Sequence, residues 1–490
     1  MNRRDFLAHS TTMALATWAS PALTQDAAGT RPNILFCLAD DWGWPHAGAY
    51  GDKVVQTPTF DRLAREGVLF ENAFVAVPSC TPCRNSILTG QMFYRLGEGA
   101  NLWSTLDPKI PTFVGLLAAA GYATGHWRKA WGPGDFRALG YKENPCGPRA
   151  RNFAQFMADR PKDKPFCFWL GTSDPHRPYK KGTGRASGMD LAKIRVPGFF
   201  PDTEEVRSDI ADYYVEVQRW DRDVGKAVDI LEKQGQLDNT IIVMTGDHGM
   251  PFPRCKGNLY DWGVRVPLAI RWGKGIKRPG RRVTDFTSLP DLAPTFLAVT
   301  GTEAPDTMTA RSLAYALRSD KAGRVDAARD LVVTGRERHC QAQKAPSTAG
   351  YPVRAIRTDR WLYIMNLEPG RWPAGVPENG TQGRGYADCD GGPTKTEILA
   401  KPGSEATKQA HGLCFARRPA DELYDAQADP YQLHNLAAQD EHGAVLASLR
   451  KRLVTYLEET ADPRFTDAPV RFDTYSYRGR RAKKRGKKNQ

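Results

Sequence analysis

Five short apolar segments, each bounded by turn-forming residues, constrain the fold of this 490-residue chain more than any other feature. They cover residues 33–39, 122–127, 166–173, 240–245 and 266–272. Helical patterns lie between them, and the longest runs from about residue 204 to 233. A strand that is buried on both faces reads as a continuous apolar run, and such strands alternate with helices in mostly parallel sheets. The sequence therefore predicts an α/β fold with a mostly parallel sheet sandwiched by helices.

The pattern of the chain changes near residue 330. Residues 353–366 alternate and are rich in arginine and aromatic side chains, a Gly-rich loop spans 375–392, and a helical pattern covers about 441–460. Alternation with a period of two is typical of strands with one buried face. We therefore predict a main α/β domain over residues 31–330 and a smaller C-terminal α+β subdomain over residues 331–470.

Positive charge is concentrated at the C-terminus. The chain has 69 basic and 55 acidic residues, and eight of the basic residues lie within 478–490, where there is no acid. Without these eight, the net charge of +14 falls to +6, so the rest of the chain is only mildly basic. We expect residues 471–490 to form a disordered, solvated tail, with binding to acidic polysaccharide as the alternative, and we expect no nucleic-acid partner.

The first thirty residues have the layout of an export signal. Arg3 and Arg4 precede Phe6 and Leu7, and a short apolar segment and small residues follow. The arginine pair is typical of the twin-arginine type, so we expect the twin-arginine export machinery as a partner and a periplasmic or secreted location. No later stretch approaches 18 uncharged apolar residues, so we expect no stable membrane insertion. Nine cysteines are too few to frame a fold of this length with disulfides.

Acidic residues directly follow two of the predicted strands. Asp40 and Asp41 come after the first apolar segment, and Asp247 with His248 comes after the fourth. Ligands gather outside the carboxyl ends of strands in open α/β sheets, so we expect these side chains to meet. Converging carboxylates suit a hard cation, Ca²⁺ or else Mg²⁺, although His248 leaves a transition metal open. The alternative for an Asp pair after a strand is a helix cap or a turn.

Residues 80–90 read Cys-Thr-Pro-Cys-Arg-Asn-Ser-Ile-Leu-Thr-Gly. Cys80 and Cys83 have the spacing of a redox pair at a helix start, where the helix dipole would lower a thiol pKa. Arg84 and the following Leu-Thr-Gly instead complete a longer pattern, Cys-x-Pro-x-Arg followed by Leu-Thr-Gly. In this pattern the chain resembles the type I sulfatases of the alkaline-phosphatase superfamily. The resemblance implies an alkaline-phosphatase-like fold, and oxidation of Cys80 by a formylglycine-generating enzyme to formylglycine, whose hydrate is the nucleophile.

The resemblance covers roughly residues 31–462 and implies roles for two sets of residues. The positions that match the family's metal ligands are Asp40, Asp41, Cys80, Asp247 and His248, the last standing where Asn is common. The positions that match its catalytic residues are Cys80, Arg84, Lys129, His176 and Lys256. Hydrolysis of an anionic sulfate ester needs positive charge at the equatorial oxygens, which Arg84, Lys129 and Lys256 would supply. His176 or Lys256 would protonate the leaving oxygen.

One position departs from the family pattern. Trp131 stands where the family has a histidine that is credited with deprotonating the formylglycine hydrate, and an indole cannot accept a proton. For this step the candidates, in order of preference, are Lys129 if nearby cations depress its pKa, then His126 and then His46, and failing these a metal-bound carboxylate or water.

The substrate is less closely defined by the sequence. Asp-Pro-His-Arg at residues 174–177 resembles the version in sulfamidases that act on N-sulfated glucosamine, but also that in sulfatases of other sulfated sugars. Residues 98–101 and 336–339 are either surface loops or contacts to a sugar. We therefore predict a metal-dependent sulfuric ester hydrolase, a sulfatase or sulfamidase, acting on sulfated saccharides. A phosphoesterase of the same superfamily and a catalytically silent carbohydrate-binding relative are the alternatives.

Overall fold

A computed structural model of the chain describes residues 31–378, 384–400 and 403–479. Its strands are β1 (Asn33–Ala39), β2 (Val68–Phe70), β3 (Ala73–Phe74), β4 (Ala123–Trp127), β5 (Phe166–Gly171), β6 (Thr240–Gly246), β7 (Leu268–Arg271), β8 (Arg281–Val283), β9 (Thr287–Ser288), β10 (Leu331–Arg336), β11 (Val353–Thr358), β12 (Trp361–Asn366) and β13 (Asp421–Asp425). Its α-helices are α1 (Pro58–Glu66), α2 (Cys80–Thr89), α3 (Phe113–Ala119), α4 (Phe153–Asp159), α5 (Thr183–Ala186), α6 (Glu204–Lys233), α7 (Asp261–Val264), α8 (Leu292–Thr300), α9 (Ala314–Arg318), α10 (Pro393–Ala400), α11 (Glu405–Phe415) and α12 (Gly443–Glu459). The predicted export signal and residues 480–490 of the predicted tail lie outside the described residues.

The main sheet has seven strands in the order β4-β5-β1-β6-β7-β2-β8. Only β7 runs against its neighbours, β6 and β2, and the other pairs are parallel. Alternate residues of β1 enter two different cores. Ile34, Phe36 and Leu38 pack on one face, and Leu35 and Cys37 on the other. This double burial explains why β1 has no polar face, and it confirms the predicted α/β fold with a mostly parallel sheet between helices.

The second sheet is an antiparallel meander, β10-β11-β12-β13. The alternating segment 353–366 supplies the hairpin β11–β12, and α12 packs against both of these strands. Leu453 and Leu457 of α12 are fully buried, which covers one face of the meander. This is the predicted small C-terminal α+β subdomain. It begins at β10, and the chain from Arg31 onward groups into a single compact unit.

Residues 471–479 differ from the prediction of a disordered tail. We call this segment the C-terminal strap. Phe472 is 2% exposed, the guanidinium of Arg338 donates to two backbone carbonyls of the strap, and Arg478 pairs with Glu98 at 2.9 Å. The start of the tail at residue 471 is therefore too early, because aromatic and backbone contacts hold these residues against the domain.

No helix among residues 31–378, 384–400 and 403–479 is long and apolar enough to cross a membrane.

Candidate active site

The acidic residues meet because β1 and β6 are neighbouring parallel strands. Ala39 lies opposite Gly246, so the residues that follow each strand emerge side by side. The backbone N–H of Asp41 donates to Oδ1 of Asp247 at 2.9 Å. Asp41 has a φ of 72°, a left-handed conformation that is rare outside glycine and is maintained by surrounding contacts.

Helix α2 brings Cys80 to the same point. Every residue of α2 is buried, and Cys80 is 2% exposed at its first position. The Cys80 Sγ lies 3.4 Å from Oδ1 of Asp40 and 3.4 Å from Nε2 of His248. Three sets of potential ligand atoms overlap here: Asp41, Cys80 and His248; Asp40, Cys80 and Asp247; and Asp40, Asp41 and His176.

The arrangement fits a bound cation. Nδ1 of His248 lies 3.1 Å from the carbonyl oxygen of Gly249, which favours the tautomer with its proton on Nδ1. Nε2 is then an acceptor, and it lies 3.3 Å from Oδ1 of Asp41. That buried oxygen has no hydrogen-bond partner among the described residues. Two acceptors at this distance need a positive species between them, as metal ligands do.

The environment of Cys80 contradicts the interpretation as a redox pair. Burial raises the pKa of the Cys80 thiol well above its usual value, and the neighbouring Asp40 raises it further. Burial likewise raises the pKa of Cys83. A reactive dithiol needs an accessible thiol with a lowered pKa, and neither cysteine has one.

Three cations surround the carboxylates. Arg84 is fully buried, with Nε 3.0 Å from Oδ2 of Asp247 and Nη2 3.3 Å from Oδ1 of Asp40. Nζ of Lys129 lies 2.5 Å from both oxygens of Asp40, and Nζ of Lys256 lies 2.9 Å from Oδ2 of Asp41. Three carboxylates and three cations thus face one another around Cys80.

Lys129 is placed by a close backbone approach. A Cβ on Gly171, at the end of β5, would lie 1.8 Å from the carbonyl oxygen of Lys129, so only glycine fits there. Arg84 also donates to the carbonyls of Lys129 and Ala130. Burial lowers the pKa of Lys129, but attraction to Asp40 and the other acidic groups around it together outweigh burial, and the pKa is raised. Lys129 was a candidate base on the condition that nearby cations depress its pKa, and because the pKa is raised, Lys129 is a poor base.

Two other predicted bases lie outside the cluster. Nδ1 of His126 lies 2.7 Å from the carbonyl oxygen of Gly147, and Nδ1 of His46 lies 3.2 Å from the hydroxyl of Tyr213. Burial lowers the pKa of both, that of His46 to about 4. Neither ring has a contact with Cys80 among the described residues.

Trp131, at the position of the missing histidine, has a structural role. It is 7% exposed, and its indole N–H donates to Oδ1 of Asn85 in α2 at 2.6 Å. The side chain therefore anchors the helix that carries Cys80.

His176 lies at the edge of the site, with a third of its side chain exposed and Nε2 3.9 Å from Oδ2 of Asp41. The structure thus brings together all the residues that the resemblance proposed as ligands and catalytic groups. These are Asp40, Asp41, Cys80, Arg84, Lys129, His176, Asp247, His248 and Lys256.

Two residues of the site were not singled out from the sequence. Nδ1 of His339 lies 2.8 Å from Oγ of Ser79, the residue before Cys80, and Oδ2 of Asp390 lies 3.0 Å from Nζ of Lys256. His339 belongs to segment 336–339, which was predicted to be a surface loop or a sugar contact. Asp390 belongs to the Gly-rich loop, which carries no chemical motif.

The arginines of segment 336–339 are structural. Arg336 donates to the carbonyls of Gly257 and Pro373, and both Arg336 and Arg338 are buried. Glu98, in the other candidate loop, pairs with Arg478 of the strap. Arg336 and Arg338 are therefore not surface side chains, and a sugar contact by these two loops stays a prediction.

Comparison with known proteins decides the family. The Sulfatase family model matches residues 32–302. The chain belongs to the sulfatase family. This sulfatase is 30% identical to N-sulphoglucosamine sulphohydrolase of Homo sapiens, over 88% of this chain and 91% of that protein. It is 26% identical to an ulvan-active sulfatase of Formosa agariphila, over 92% of this chain and 85% of that protein.

Solved structures with a similar fold are found as well. The structure of this sulfatase resembles that of a protein solved with its substrate D-glucosamine-2-N,6-O-disulfate, with a TM-score of 0.61 and 21% identity over 88% of this chain and 99% of that one. The predicted family, the fold class and the assignment as a sulfuric ester hydrolase are confirmed.

Proposed function

We propose that this sulfatase removes sulfate groups from sulfated carbohydrates, with formylglycine made from Cys80 as its nucleophile. The observation that carries the proposal is the position of Cys80, buried between the carboxylate cluster and three cations, with Sγ 3.4 Å from Asp40 and from His248. The relatives support a carbohydrate substrate, because one is an N-sulphoglucosamine sulphohydrolase and another is active on ulvan.

A formylglycine at position 80 would supply, as its hydrate, an oxygen nucleophile in place of the thiol. Cys80 stands at the N-terminus of α2, where the positive end of the helix dipole favours negative charge. Arg84, one turn along the helix, is fixed by Asp40 and Asp247. Its guanidinium therefore stays beside the reacting atoms without needing to reorganise.

Ca²⁺ is the cation we propose, with Mg²⁺ as the alternative. Asp40, Asp41 and Asp247 supply the hard oxygen donors, and His248 and residue 80 complete the set. When bound, the cation supplies positive charge that stabilises negative charge on the sulfate group and at position 80.

Lys129 and Lys256 would neutralise the sulfate oxygens as charge develops. Burial lowers the pKa of Lys256, but Asp390 and Asp41 together raise it well above its usual value, so the side chain stays charged. His176 is more exposed than the other groups and faces Asp41, a position suited to the leaving oxygen or nitrogen of the sugar. We assign the proton donor to His176, with Lys256 as the alternative.

His339 replaces the missing histidine as our proposed proton acceptor. Burial holds the pKa of His339 well below its usual value, and Lys256 and Arg336 lower it further, so the imidazole is neutral. Its contact with Ser79 places it next to the start of α2. Of the candidate bases, it combines a neutral ring with a position beside the nucleophile.

The arginine pair and the apolar segment of the N-terminal sequence support a proposal about location. We propose twin-arginine export to the periplasm or the medium, after a formylglycine-generating enzyme has acted on Cys80. The partners are then that enzyme, the export machinery and the sulfated saccharide.

Peptide mass spectrometry and activity on 4-nitrophenyl sulfate test the proposal. We expect an aldehyde at position 80 in active protein, loss of turnover by at least a thousandfold in Cys80→Ala, and turnover within about threefold of wild type in the matched control Cys83→Ala. Fully active protein with only a thiol at Cys80 would contradict the proposal. Tight binding of sulfated saccharide without turnover would instead favour the silent relative.

A further inference from the structure

A fourth carboxylate lies beside the three cations of the site. Asp390 lies in the Gly-rich loop and pairs with Nζ of Lys256 at 3.0 Å, while Asp41 pairs with the same ammonium at 2.9 Å. Lys256 is 5% exposed and Asp390 is 23% exposed, so the carboxylate lies on the open side of the lysine. The ammonium of Lys256 therefore forms ion pairs with two carboxylates, those of Asp41 and Asp390.

Asp390 remains charged in this position. Burial raises its pKa, but the charged groups around it, Lys256 first among them, outweigh burial and leave the pKa well below its usual value. Its Oδ2 is buried and makes no hydrogen bond of good geometry to the described residues. The contact with Lys256 is thus an ion pair, and the carboxylate of Asp390 can also repel the negative charge of a bound substrate.

The charge balance makes this carboxylate unusual. Asp40, Asp41 and Asp247 already match Arg84, Lys129 and Lys256 one for one. The ion-pair partner of Asp390, Lys256, is the cation already matched by Asp41. Asp390 therefore removes one unit of positive charge from the place where an anionic substrate binds, whatever else the site holds. A site built only for tight anion binding would not contain it.

We propose that Asp390 is a specificity-determining residue that selects a singly charged sulfate ester over a doubly charged phosphate ester. The inference rests on the proposed function, since it assumes that the anionic group binds at Lys256. A sulfate monoester carries one negative charge, whereas a phosphate monoester carries nearly two above pH 7. A carboxylate within about 7 Å of the bound anion repels it in proportion to the charge of the anion. One additional negative charge on the ligand at that distance should weaken its affinity about tenfold or more.

The test compares two substrates in four proteins. Values of kcat/KM for 4-nitrophenyl sulfate and 4-nitrophenyl phosphate at pH 8 are measured in wild type, Asp390→Asn, Asp390→Glu and Glu378→Gln. Glu378 is exposed on the same loop and controls for a lost charge. We expect the sulfate-to-phosphate ratio to fall at least tenfold in D390N, to return toward wild type in D390E and to stay unchanged in E378Q.

A ratio in D390N within twofold of wild type would overturn the inference, even if both rates fall, because Asp390 would then only position Lys256. Calorimetric binding of methyl sulfate, which carries one negative charge, and methyl phosphate, which carries nearly two at pH 8, gives a second readout that needs no turnover, and we expect D390N to gain at least tenfold for the phosphate ester relative to the sulfate ester. A wild type that binds both anions but hydrolyses no sulfate contradicts the proposed function, and this binding comparison still decides the role of Asp390.

Discussion

Removing the C-terminal strap should weaken both the fold and the site, whereas removing only the residues beyond it should not. The strap contacts the loop before the α3 helix: the backbone N–H of Arg478 donates to the carbonyl of Trp103 at 2.7 Å, and the ring of Tyr477 lies 6.2 Å from that of Trp103. Trp103 packs against a small cluster that includes Cys80. The two truncations to compare end at residue 470 and at residue 479.

The cost of losing the strap follows from its contacts. Exposing the fully buried side chain of Phe472 costs about 2 kcal/mol. Arg338 is 1% exposed and loses two of its three carbonyl acceptors, which costs about 2 kcal/mol more. The partly exposed ion pairs, Arg478 with Glu98 and Arg371 with Asp473, contribute less than about 1 kcal/mol each. The free energy of unfolding should therefore fall by about 5 kcal/mol.

This loss of unfolding free energy corresponds to a lower melting temperature. The entropy of unfolding is about 2 cal/mol/K per residue, hence about 1 kcal/mol/K for a chain of this size, so the truncation at residue 470 should melt about 5 °C below the full chain. The truncation at residue 479 removes seven basic residues and none of these contacts, so it should melt within about 1 °C of the full chain and hydrolyse 4-nitrophenyl sulfate equally well. It should also lose salt-sensitive binding to a sulfated polysaccharide. Equal melting temperatures for the two truncations would refute the assignment of the strap.

Two further outcomes follow from the site. Adding Ca²⁺ to chelator-treated protein at about 100 times its Kd should stabilise the fold by about 2.7 kcal/mol, which raises Tm by about 3 °C. Asp41→Asn should abolish this rise in Tm. An unchanged rise in D41N, or a rise with Zn²⁺ alone, would argue against the calcium site. His339→Gln should lower kcat for 4-nitrophenyl sulfate at least tenfold while His126→Gln stays within threefold, and a H339Q variant with wild-type kcat would exclude His339 as the proton acceptor.

The parts of the fold that local patterns specify were predicted closely. β1 was predicted at residues 33–39 and α6 at 204–233, and both have these bounds in the structure. β1 is buried on both faces, and α6 is capped by Thr203, the residue before its first turn, whose hydroxyl accepts the backbone N–H of Val206. The meeting of Asp40, Asp41 and Asp247 was predictable too, because it depends only on two strands being parallel neighbours.

The rest of the site depends on long-range contacts that no local pattern encodes. Lys129 could act as the base only if nearby cations depressed its pKa, but its closest partner is the carboxylate of Asp40. Asp390 and His339 reach the site from loops more than 250 residues away from Cys80 in the chain. The strap was missed because its basic neighbours dominate the composition, although Phe472, Tyr475 and Tyr477 are the signal that separates it from the tail.

The burial of Cys80 sets a time limit on any enzyme that is to modify it. The residues that close over α2 include His339, which contacts Ser79 across 260 residues of chain. At a synthesis rate of about 5–20 residues per second, that separation corresponds to roughly 13–50 s between the appearance of the two contacts. Until the segment that contains His339 has been synthesised, Cys80 lies on an incomplete fold where a modifying enzyme can reach it. Once that segment has packed over α2, the enzyme cannot reach Cys80. If Cys80 is converted to the proposed formylglycine, the rate of translation, as much as the amount of modifying enzyme, should therefore set the fraction of molecules that carry it.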